Sequence, residues 1–242
     1  MKLFITSSPF VDGADRAIMD PQNGLIKGLK RALPPYCRCL YVCSSPDRRD
    51  LNCTFGADVF QIFAQEGMPF SHYAVLDGNN FYEAKKLVME SDLIVLAGGH
   101  VPTQNAFFRK IRLREILRDY NGVVLGISAG SMNMANVVYA QPEEPGETKP
   151  EYEKFLPGLG LTDVNILPHY QKAKHYTVDG LHLYNEITLP DSAGKCFYAL
   201  PDGSYFYQDE EKLLLCGEGY CISNGNMHRL TNAGDTLDLT GK

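Results

Sequence analysis

Residues 123–135 read VVLGISAGSMNMA, and this stretch decides the fold. An apolar run typical of a buried strand leads into Gly-x-Ser-x-Gly, and small and helix-forming residues follow at once. Gly126 and Gly130 permit a cramped turn from strand to helix that presents the side chain of Ser128 to solvent. The amino end of the following helix favours developing negative charge. The pattern predicts a nucleophile elbow with Ser128 as a catalytic nucleophile; a glycine-rich strand end that packs closely or binds phosphate is the alternative.

Similar apolar runs, each bounded by turn residues, recur through the first part of the chain. They cover residues 3–6, 39–43, 73–76 and 93–97 in addition to 123–127. The segments between them carry apolar residues at helical spacing, for example Leu25, Leu29 and Leu33. Repeated alternation of strand and helix is typical of a parallel sheet covered on both faces. We therefore expect an α/β fold, a three-layer sandwich around a mostly parallel sheet.

The chain changes character after residue 137. Residues 141–147 read QPEEPGE and predict an exposed, irregular loop. Further strand-like runs follow at residues 165–167, 197–200, 204–207, 213–216, 220–223 and 227–230. Asp-Gly, Glu-Gly and Asn-Gly pairs alternate with the last four runs, as turns do in hairpins. This pattern predicts a C-terminal β-meander that closes one edge of the sheet, and we expect residues 1–242 to form a single domain.

Composition narrows the class of protein. Hydrophobic residues make up 44% of the 242 residues, which is enough to build a buried core. The net charge is −6 and the basic residues are scattered, so nucleic acid is not an expected partner. The N-terminal apolar run is too short for a signal peptide, and no apolar run reaches the roughly 18 residues of a membrane span. We expect a cytoplasmic protein that does not bind membranes.

The cysteines bear on redox state and metal binding. Seven cysteines lie mostly within apolar runs, which predicts reduced residues in the core. Cys37 and Cys39 are not followed by a second Cys or His pair at the spacing of a zinc site. Neither a metal nor a cofactor is therefore expected.

A nucleophilic serine needs backbone amides that stabilise the oxyanion. Residues 96–103, LAGGHVPT, end the preceding strand with two glycines and open a helix with proline near its first turn. Adjacent strands would bring Gly99 next to Ser128, so the amides of Gly99 and Ala129 are the predicted oxyanion donors. A plain helix-opening turn is the alternative. Gly98 and His100 are expected to line the substrate pocket.

The serine also needs a base and an orienting carboxylate. Of six histidines, His169 follows a short apolar run directly, where a strand end would place it over the carboxyl edge of the sheet. Downstream candidates for the carboxylate are Asp179, Glu186, Asp191 and Asp202. Asp202 lies in a tight turn between two strand-like runs, but Asp-Gly turns are common for local reasons. The residues alone leave this choice open.

Three motifs together resemble a known family. Residues 126–131 (GISAGS), 97–99 (AGG) and 167–170 (LPHY) are similar to the aspartyl dipeptidase (peptidase E) and cyanophycinase family of serine peptidases. The likeness runs over most of the chain, from the first strand to about Ser204. It implies a class I glutamine amidotransferase-like, flavodoxin-like fold. It also implies Ser128 as nucleophile, His169 as base and Asp202 as the third member.

The sequence departs from that family at two places. The dipeptidases follow the Gly-Gly pair with Asn or Asp and Thr, whereas this chain has HVPT at residues 100–103. They carry arginines after the catalytic histidine, whereas residues 171–176 read QKAKHY. Lys172 and Lys174 are the expected substrate-binding cations, and a lysine discriminates an acidic side chain less sharply than an arginine does. The aspartyl specificity of the family therefore does not carry over.

The resulting expectation is a serine peptidase of small peptides, in particular dipeptides. Glu143, Glu144 and Glu147 would place negative charge near the mouth of the site, which suits a free α-amino group. A non-peptidase acyl hydrolase such as an esterase would use the same triad, and a catalytically silent flavodoxin-like binding module is the alternative outside the enzymes. We expect a monomer or a homodimer.

Overall fold

Five adjacent parallel strands form one side of the larger sheet and reach its edge. The computed structural model describes residues 1–11 and 18–241. The parallel strands are β1 (Lys2–Thr6), β2 (Arg38–Val42), β3 (His72–Leu76), β4 (Leu93–Leu96) and β5 (Val123–Ile127). They lie in the order β1-β5-β4-β2-β3, and β4 is buried along its whole length. A strand buried on both faces reads as a continuous apolar run, as β4 does, whereas the edge strand β3 is only half-buried.

Helices alternate with the parallel strands. One or two helices follow each parallel strand, α4 and α5 both coming after β4. In chain order, the helices are α1 (Leu25–Ala32), α2 (Arg49–Gln65), α3 (Ala84–Met89), α4 (Val101–Lys110), α5 (Leu113–Leu117) and α6 (Ala129–Met132). Two short helices follow, α7 (Tyr170–Ala173) and α8 (Leu189–Asp191), with a π-helical turn at Leu183–Thr188. The helices bury apolar residues at helical spacing, such as Leu25 and Leu29 of α1. The predicted α/β fold with a mostly parallel sheet is confirmed.

Eleven further strands, β6 to β16, complete the described sheets. The first ten are β6 (Val137–Tyr139), β7 (Phe155–Pro157), β8 (Ile166–Leu167), β9 (Thr177–Val178), β10 (Leu181–His182), β11 (Cys196–Ala199), β12 (Tyr205–Gln208), β13 (Leu213–Cys216), β14 (Gly219–Ser223) and β15 (Asn226–Thr231). A last short strand, β16, covers Thr236–Asp238. β12, β13 and β16 extend the large sheet beyond β1, each antiparallel to its neighbour.

The prediction of one C-terminal meander is wrong. β8, β11, β14 and β15 form a second sheet in the order β15-β14-β11-β8, whereas β12, β13 and β16 join the large one. The pairs Asp202-Gly203 and Glu218-Gly219 therefore carry the chain from one sheet to the other. Asn224 and Gly225, with φ of 48° and 76°, do turn the chain between the paired strands β14 and β15. An Asx-Gly pair specifies a local turn, but it does not specify which strand pairs with which.

Two other predictions need correction. The loop at residues 141–147 is irregular, but Gln141, Pro142 and Glu147 in it are buried. Of the seven cysteines, Cys53 and Cys196 are exposed and Cys221 is half-buried, so these three are not core residues. No helix in the described part of the chain is long and apolar enough to cross a membrane.

Candidate active site

The site lies where the carboxyl ends of neighbouring parallel strands meet. β1, β5 and β4 are adjacent in the sheet; Ser7 and Ser128 directly follow the first two, and Gly98 and Gly99 come after Ala97 at the end of β4. This edge is the usual place for a ligand or catalytic site in an open α/β sheet. The order of the strands therefore brings together residues that are far apart in the sequence.

Ser128 stands in a strained turn between β5 and α6. Its φ of 50° and ψ of −112° are unusual for a residue with a side chain. Its amide donates a hydrogen bond to the carbonyl of Ser7 at 2.9 Å, which holds the turn against β1. A Cβ on Gly126 would lie 2.6 Å from the Cα of Ser131, and one on Gly130 would overlap the carbonyl oxygen of Leu96. Both glycines of the motif are thus required by close packing.

The side chains of Ser128, His169 and Asp202 form a continuous hydrogen-bonded chain. The Oγ of Ser128 lies 3.0 Å from Nε2 of His169. Nδ1 of the same ring lies 2.7 Å from Oδ1 of Asp202. His169 follows β8 with a φ of 57°, and its side chain is 40% exposed, whereas that of Asp202 is 8% exposed. A buried carboxylate, an imidazole and a solvent-facing hydroxyl in this order are the geometry of a catalytic triad.

Two further residues hold Asp202 in place, and the sequence analysis missed both roles. Ser7 donates to Oδ1 of Asp202 at 2.9 Å and accepts the backbone amide of His169 at 2.8 Å. Gln171 donates to Oδ2 at 2.6 Å and accepts the Asp202 amide at 3.1 Å. The position of Ser7 directly after β1 was the available signal, because that strand end reaches the same edge of the sheet.

These contacts determine the charge state of Asp202. Burial on its own would raise the pKa of this carboxyl group. The hydrogen bond to His169 and the positive charge of that ring oppose the effect, and the hydrogen bonds from Ser7 and Gln171 add to them. The net result is a pKa below the ordinary value for aspartate. Asp202 is therefore a carboxylate at neutral pH.

The other carboxylates considered for the triad are bound elsewhere. Asp179 accepts hydrogen bonds from the amide of Gly146 and the hydroxyl of Thr148. Glu186 accepts the amide of His182. Asp191 binds Lys154 at 2.8 Å and the hydroxyl of Tyr139. Of the four candidates, Asp202 is the one placed against His169.

Two amides beside Ser128 have no hydrogen-bond acceptor in the described part of the chain. They belong to Gly99, which lines the same cavity as Ser128, and to Ala129, the first residue of α6. Gly99 has a φ of 151°, and a Cβ there would overlap the side chain of Ser44. Amides without an acceptor beside a nucleophile are available to an oxyanion.

A cavity of about 100 Å³ opens beside the hydroxyl of Ser128. Its walls include residues from the loop at 141–147 as well as from α4, α6 and the turn after α7. The lining residues are Gly99, Val101, Ser128, Met132, Gln141, Pro142, Glu143, Pro168, His169, Ala173, Tyr176 and Leu183. Glu143 contributes the one carboxylate of this lining. The lining is therefore mostly apolar, with a single acidic residue.

All four predicted substrate-binding residues, Gly98, His100, Lys172 and Lys174, lie outside this lining. Gly98 packs behind the elbow, where an added Cβ would lie 3.6 Å from Cβ of Ser128. Lys172 is exposed, and Nζ of Lys174 lies 5.6 Å from the centre of the Tyr170 ring. His100 uses both ring nitrogens within the protein, as described next. Direct substrate contact by these residues stays a prediction.

His100 anchors the loop that walls the cavity. Nδ1 of His100 lies 2.7 Å from the hydroxyl of Thr103, and Nε2 lies 2.8 Å from Oε1 of Glu147. Oε2 of Glu147 accepts the amides of Glu143 and Glu144 at 2.8 and 3.0 Å. Burial raises the pKa of Glu147, but these amides and His100 outweigh it and lower the pKa overall. The buried carboxylate thus ties the loop to α4.

The same residues are the candidate cation ligands of the described chain. Ligand atoms of His100, Glu144 and Glu147 all lie within 4.8 Å of one another. Both oxygens of Glu147 and both ring nitrogens of His100 already have hydrogen-bond partners. The arrangement is therefore satisfied by the protein itself as a loop anchor.

The electrostatic environment of Glu143 differs from that of Glu147. Although much of Glu143 is exposed, desolvation of its carboxyl group raises its pKa, and the charges of Glu147 and Glu144 act in the same direction. The charge of His100 and the amide of Val101 oppose this without cancelling it. A carboxylate destabilised in this way gains from a cationic partner in the cavity.

Comparisons with known proteins give the family and the fold. The family model described as Peptidase family S51 matches residues 53–216, more than half of the chain. A solved structure described as a "Putative Peptidase E Protein" from Listeria monocytogenes EGD-e has a TM-score of 0.59 and 14% sequence identity, and covers 95% of this chain and 98% of its own. At this identity the likeness shows a shared fold. No curated protein matches the chain in sequence.

Proposed function

The chain belongs to peptidase family S51 and is a serine-type peptidase; from this premise we propose that Ser128, His169 and Asp202 are its catalytic triad. The observation that supports the proposal is the unbroken path from the hydroxyl of Ser128 through the imidazole of His169 to the carboxylate of Asp202. Each atom lies within the distance that proton transfer requires. The substrate we propose is a short peptide with a free amino terminus.

Each group has a defined task in the reaction. Ser128 attacks the carbonyl carbon of the scissile bond, and Nε2 of His169 takes the hydroxyl proton. Asp202 holds the ring in the required tautomer and stabilises the imidazolium. The oxyanion accepts hydrogen bonds from the amides of Gly99 and Ala129. When the intermediate collapses, His169 gives its proton to the leaving amine, and water then releases the acyl group by the same steps.

The size of the cavity supports a small substrate. The cavity beside Ser128 has a volume of about 100 Å³. Gln141, Pro142 and Glu143 close one side of it, and the anchor between His100 and Glu147 holds that side in place. An extended polypeptide chain would meet this wall. We therefore propose that dipeptides and tripeptides are cleaved and that unfolded casein is not.

Glu143 is the proposed acceptor for the α-amino group of the substrate. Glu143 is the acidic residue that lines the same cavity as Ser128. Because desolvation raises its pKa, an ammonium group bound beside it restores a favourable environment for the charge. An amino-terminal residue held between Glu143 and the oxyanion amides would present its own carbonyl to Ser128.

A fluorophosphonate probe tests the nucleophile directly, because it forms a covalent bond only with an activated serine. The wild-type protein should be labelled at Ser128 and should hydrolyse dipeptides. Ser128→Ala should take no label at the site and lose hydrolysis by a factor on the order of 10³ or more. Ser91→Ala is a matched control, since that hydroxyl bonds the carbonyl of Leu87 at a helix end. Wild-type turnover by Ser128→Ala would exclude Ser128 as the nucleophile.

The same experiment separates the alternatives. A non-peptidase acyl hydrolase would be labelled but would cleave simple esters and leave dipeptides intact. A silent binding module would not be labelled. Membership of a peptidase family weighs against both. The class I glutamine amidotransferase-like layering, the single domain, the cytoplasmic location and the monomeric or homodimeric state stay predictions.

A further inference from the structure

Two cysteines meet on the smaller sheet, away from the proposed triad. β11 and β14 are antiparallel neighbours, with Cys196 opposite Ser223 and Tyr198 opposite Cys221. Cys196 and Cys221 therefore lie on the same face of the sheet, as diagonal neighbours. Their Sγ atoms are 3.4 Å apart. This is the contact distance of two thiols whose side chains point at each other.

The pair is accessible from solvent. Cys196 is exposed and Cys221 is half-buried, whereas Cys37, Cys39, Cys43 and Cys216 are buried. Cys53 is also exposed, but it lies on α2, and no other cysteine contacts it among the residues that the structure describes. A small oxidant can therefore reach Cys53 and Cys196, and only Cys196 has a second sulfur beside it.

We propose that Cys196 and Cys221 form a reversible disulfide by exchange with a low-molecular-weight disulfide such as glutathione disulfide. The thiolate of Cys196 attacks one sulfur of glutathione disulfide, and one glutathione thiolate leaves. The thiolate of Cys221 then attacks the sulfur of Cys196, and the second glutathione leaves. The protein loses two thiol protons and two electrons, and glutathione disulfide is reduced to two molecules of glutathione.

The geometry needs only a small adjustment. A disulfide requires the sulfur atoms to move from 3.4 Å to about 2.0 Å. Rotation of the two side chains, whose sulfur atoms are already in contact, contributes to this approach. The remaining adjustment falls on β11 and β14, which end in short turns and belong to a sheet of four strands.

The environments of the two thiols indicate the order of the steps. Burial raises the pKa of Cys221 to about 11, and the hydrogen bond and the charge of Cys196 add to the effect of burial. Cys221 is thus a poor first nucleophile, and the exposed Cys196 reacts first. Once the sulfur of Cys196 carries glutathione, its hydrogen bond and its charge no longer raise the pKa of Cys221. The attack of Cys221 on the mixed disulfide is therefore easier than a first attack by Cys221 would be.

The position of the disulfide gives it a structural consequence. β11 leads through Leu200 and Pro201 to Asp202, and it pairs with β8, which leads to His169. A covalent bond between β11 and β14 would fix the sheet from which both residues extend. Oxidation should therefore raise the melting temperature of the protein.

Peptide mapping after equilibration in glutathione buffers tests the proposal. The full-length protein is incubated at increasing ratios of oxidised to reduced glutathione, alkylated in acid and digested without reduction. We expect a linked peptide containing Cys196 and Cys221, lighter by two hydrogen atoms, which dithiothreitol separates. Cys53 serves as the internal control, since it should carry a glutathione adduct and no intramolecular link.

Two serine variants, Cys221→Ser and Cys196→Ser, test the role of each thiol separately. In Cys221→Ser, Cys196 should keep its glutathione adduct, because no second thiol displaces it. In Cys196→Ser, Cys221 should react more slowly than Cys53. The proposal is overturned if wild-type Cys196 also keeps glutathione, or if both cysteines stay free while Cys53 is modified. Peptide mapping of the wild-type protein shows whether the disulfide forms even if a variant does not fold.

Discussion

The hydroxyl of Ser7 donates a hydrogen bond to the carboxylate of Asp202 at 2.9 Å, across 195 positions of the chain. The same hydroxyl accepts the amide of His169, and the carbonyl of Ser7 accepts the amide of Ser128. Ser7 is fully buried at the end of β1. One residue thus contacts each member of the proposed triad without facing the cavity, and we treat it as a positioning residue.

Replacing Ser7 by alanine should lower kcat by roughly tenfold to a hundredfold and leave KM unchanged, because Asp202 and His169 lose a common anchor. The orphaned amide of His169 should also cost about 1–3 kcal/mol of stability. Steady-state kinetics and denaturant unfolding measure the two effects. Ser8→Ala is the neighbouring control, since that hydroxyl accepts the amide of Phe10. Equal loss of activity in both variants would contradict the role of Ser7.

Asp202→Asn should reduce kcat by roughly 10³- to 10⁴-fold, because the amide favours the wrong tautomer of His169. Asp179→Asn and Glu186→Gln serve as controls and should retain activity, since these carboxylates bind other parts of the chain. If Asp202→Asn is harmless while either control is inactive, the third member is misassigned.

The stability of the fold should depend on pH through the charge of Asp202. The pKa of Asp202 is lowered in the folded protein, so its stabilising effect is complete above the ordinary aspartate value of about 3.9. It is lost as the pH falls through the lower pKa of the folded state. Acid unfolding of wild type and Asp202→Asn tests the sign: the variant should lose less stability on acidification.

Glu143→Gln should raise KM for dipeptides with a free amino terminus by about tenfold or more, because a charged hydrogen bond to the α-amino group is lost. N-acetylated dipeptides, which lack that charge, should be affected little. Since the pKa of Glu143 is raised, the KM of the wild-type protein should fall as the pH rises through it. Glu151→Gln is the control for an exposed glutamate. An equal change for free and acetylated substrates would show that Glu143 does not bind the amino group.

Gly130→Ala should destabilise the fold strongly, because the new methyl group would overlap the carbonyl of Leu96. Gly98→Ala introduces the same methyl group one strand away, where its nearest neighbours lie 3.5 and 3.6 Å off, an ordinary contact distance. Thermal unfolding should therefore separate the two variants by several degrees. Equal melting temperatures would mean that the elbow can relax.

The local features of this protein were readable from its sequence. The five parallel strands appeared as apolar runs, most clearly β4, since a strand covered on both faces carries apolar side chains in both directions. The elbow appeared as Gly126, Ser128 and Gly130, because a turn this tight excludes a Cβ at either glycine. The resemblance to the peptidase E family, carried by three short motifs, is confirmed by the match to peptidase family S51.

Only the tertiary structure decided which distant residues meet. Asp202 was one of four candidates by spacing, and its place against His169 depends on the turn between β11 of one sheet and β12 of the other. Likewise, Ser7 reaches the triad because β1 lies beside β5, and the two cysteines touch because β11 pairs with β14 in one register. Strand order and register arise from packing over the whole chain, whereas turn residues and apolar periodicity report only on their neighbours.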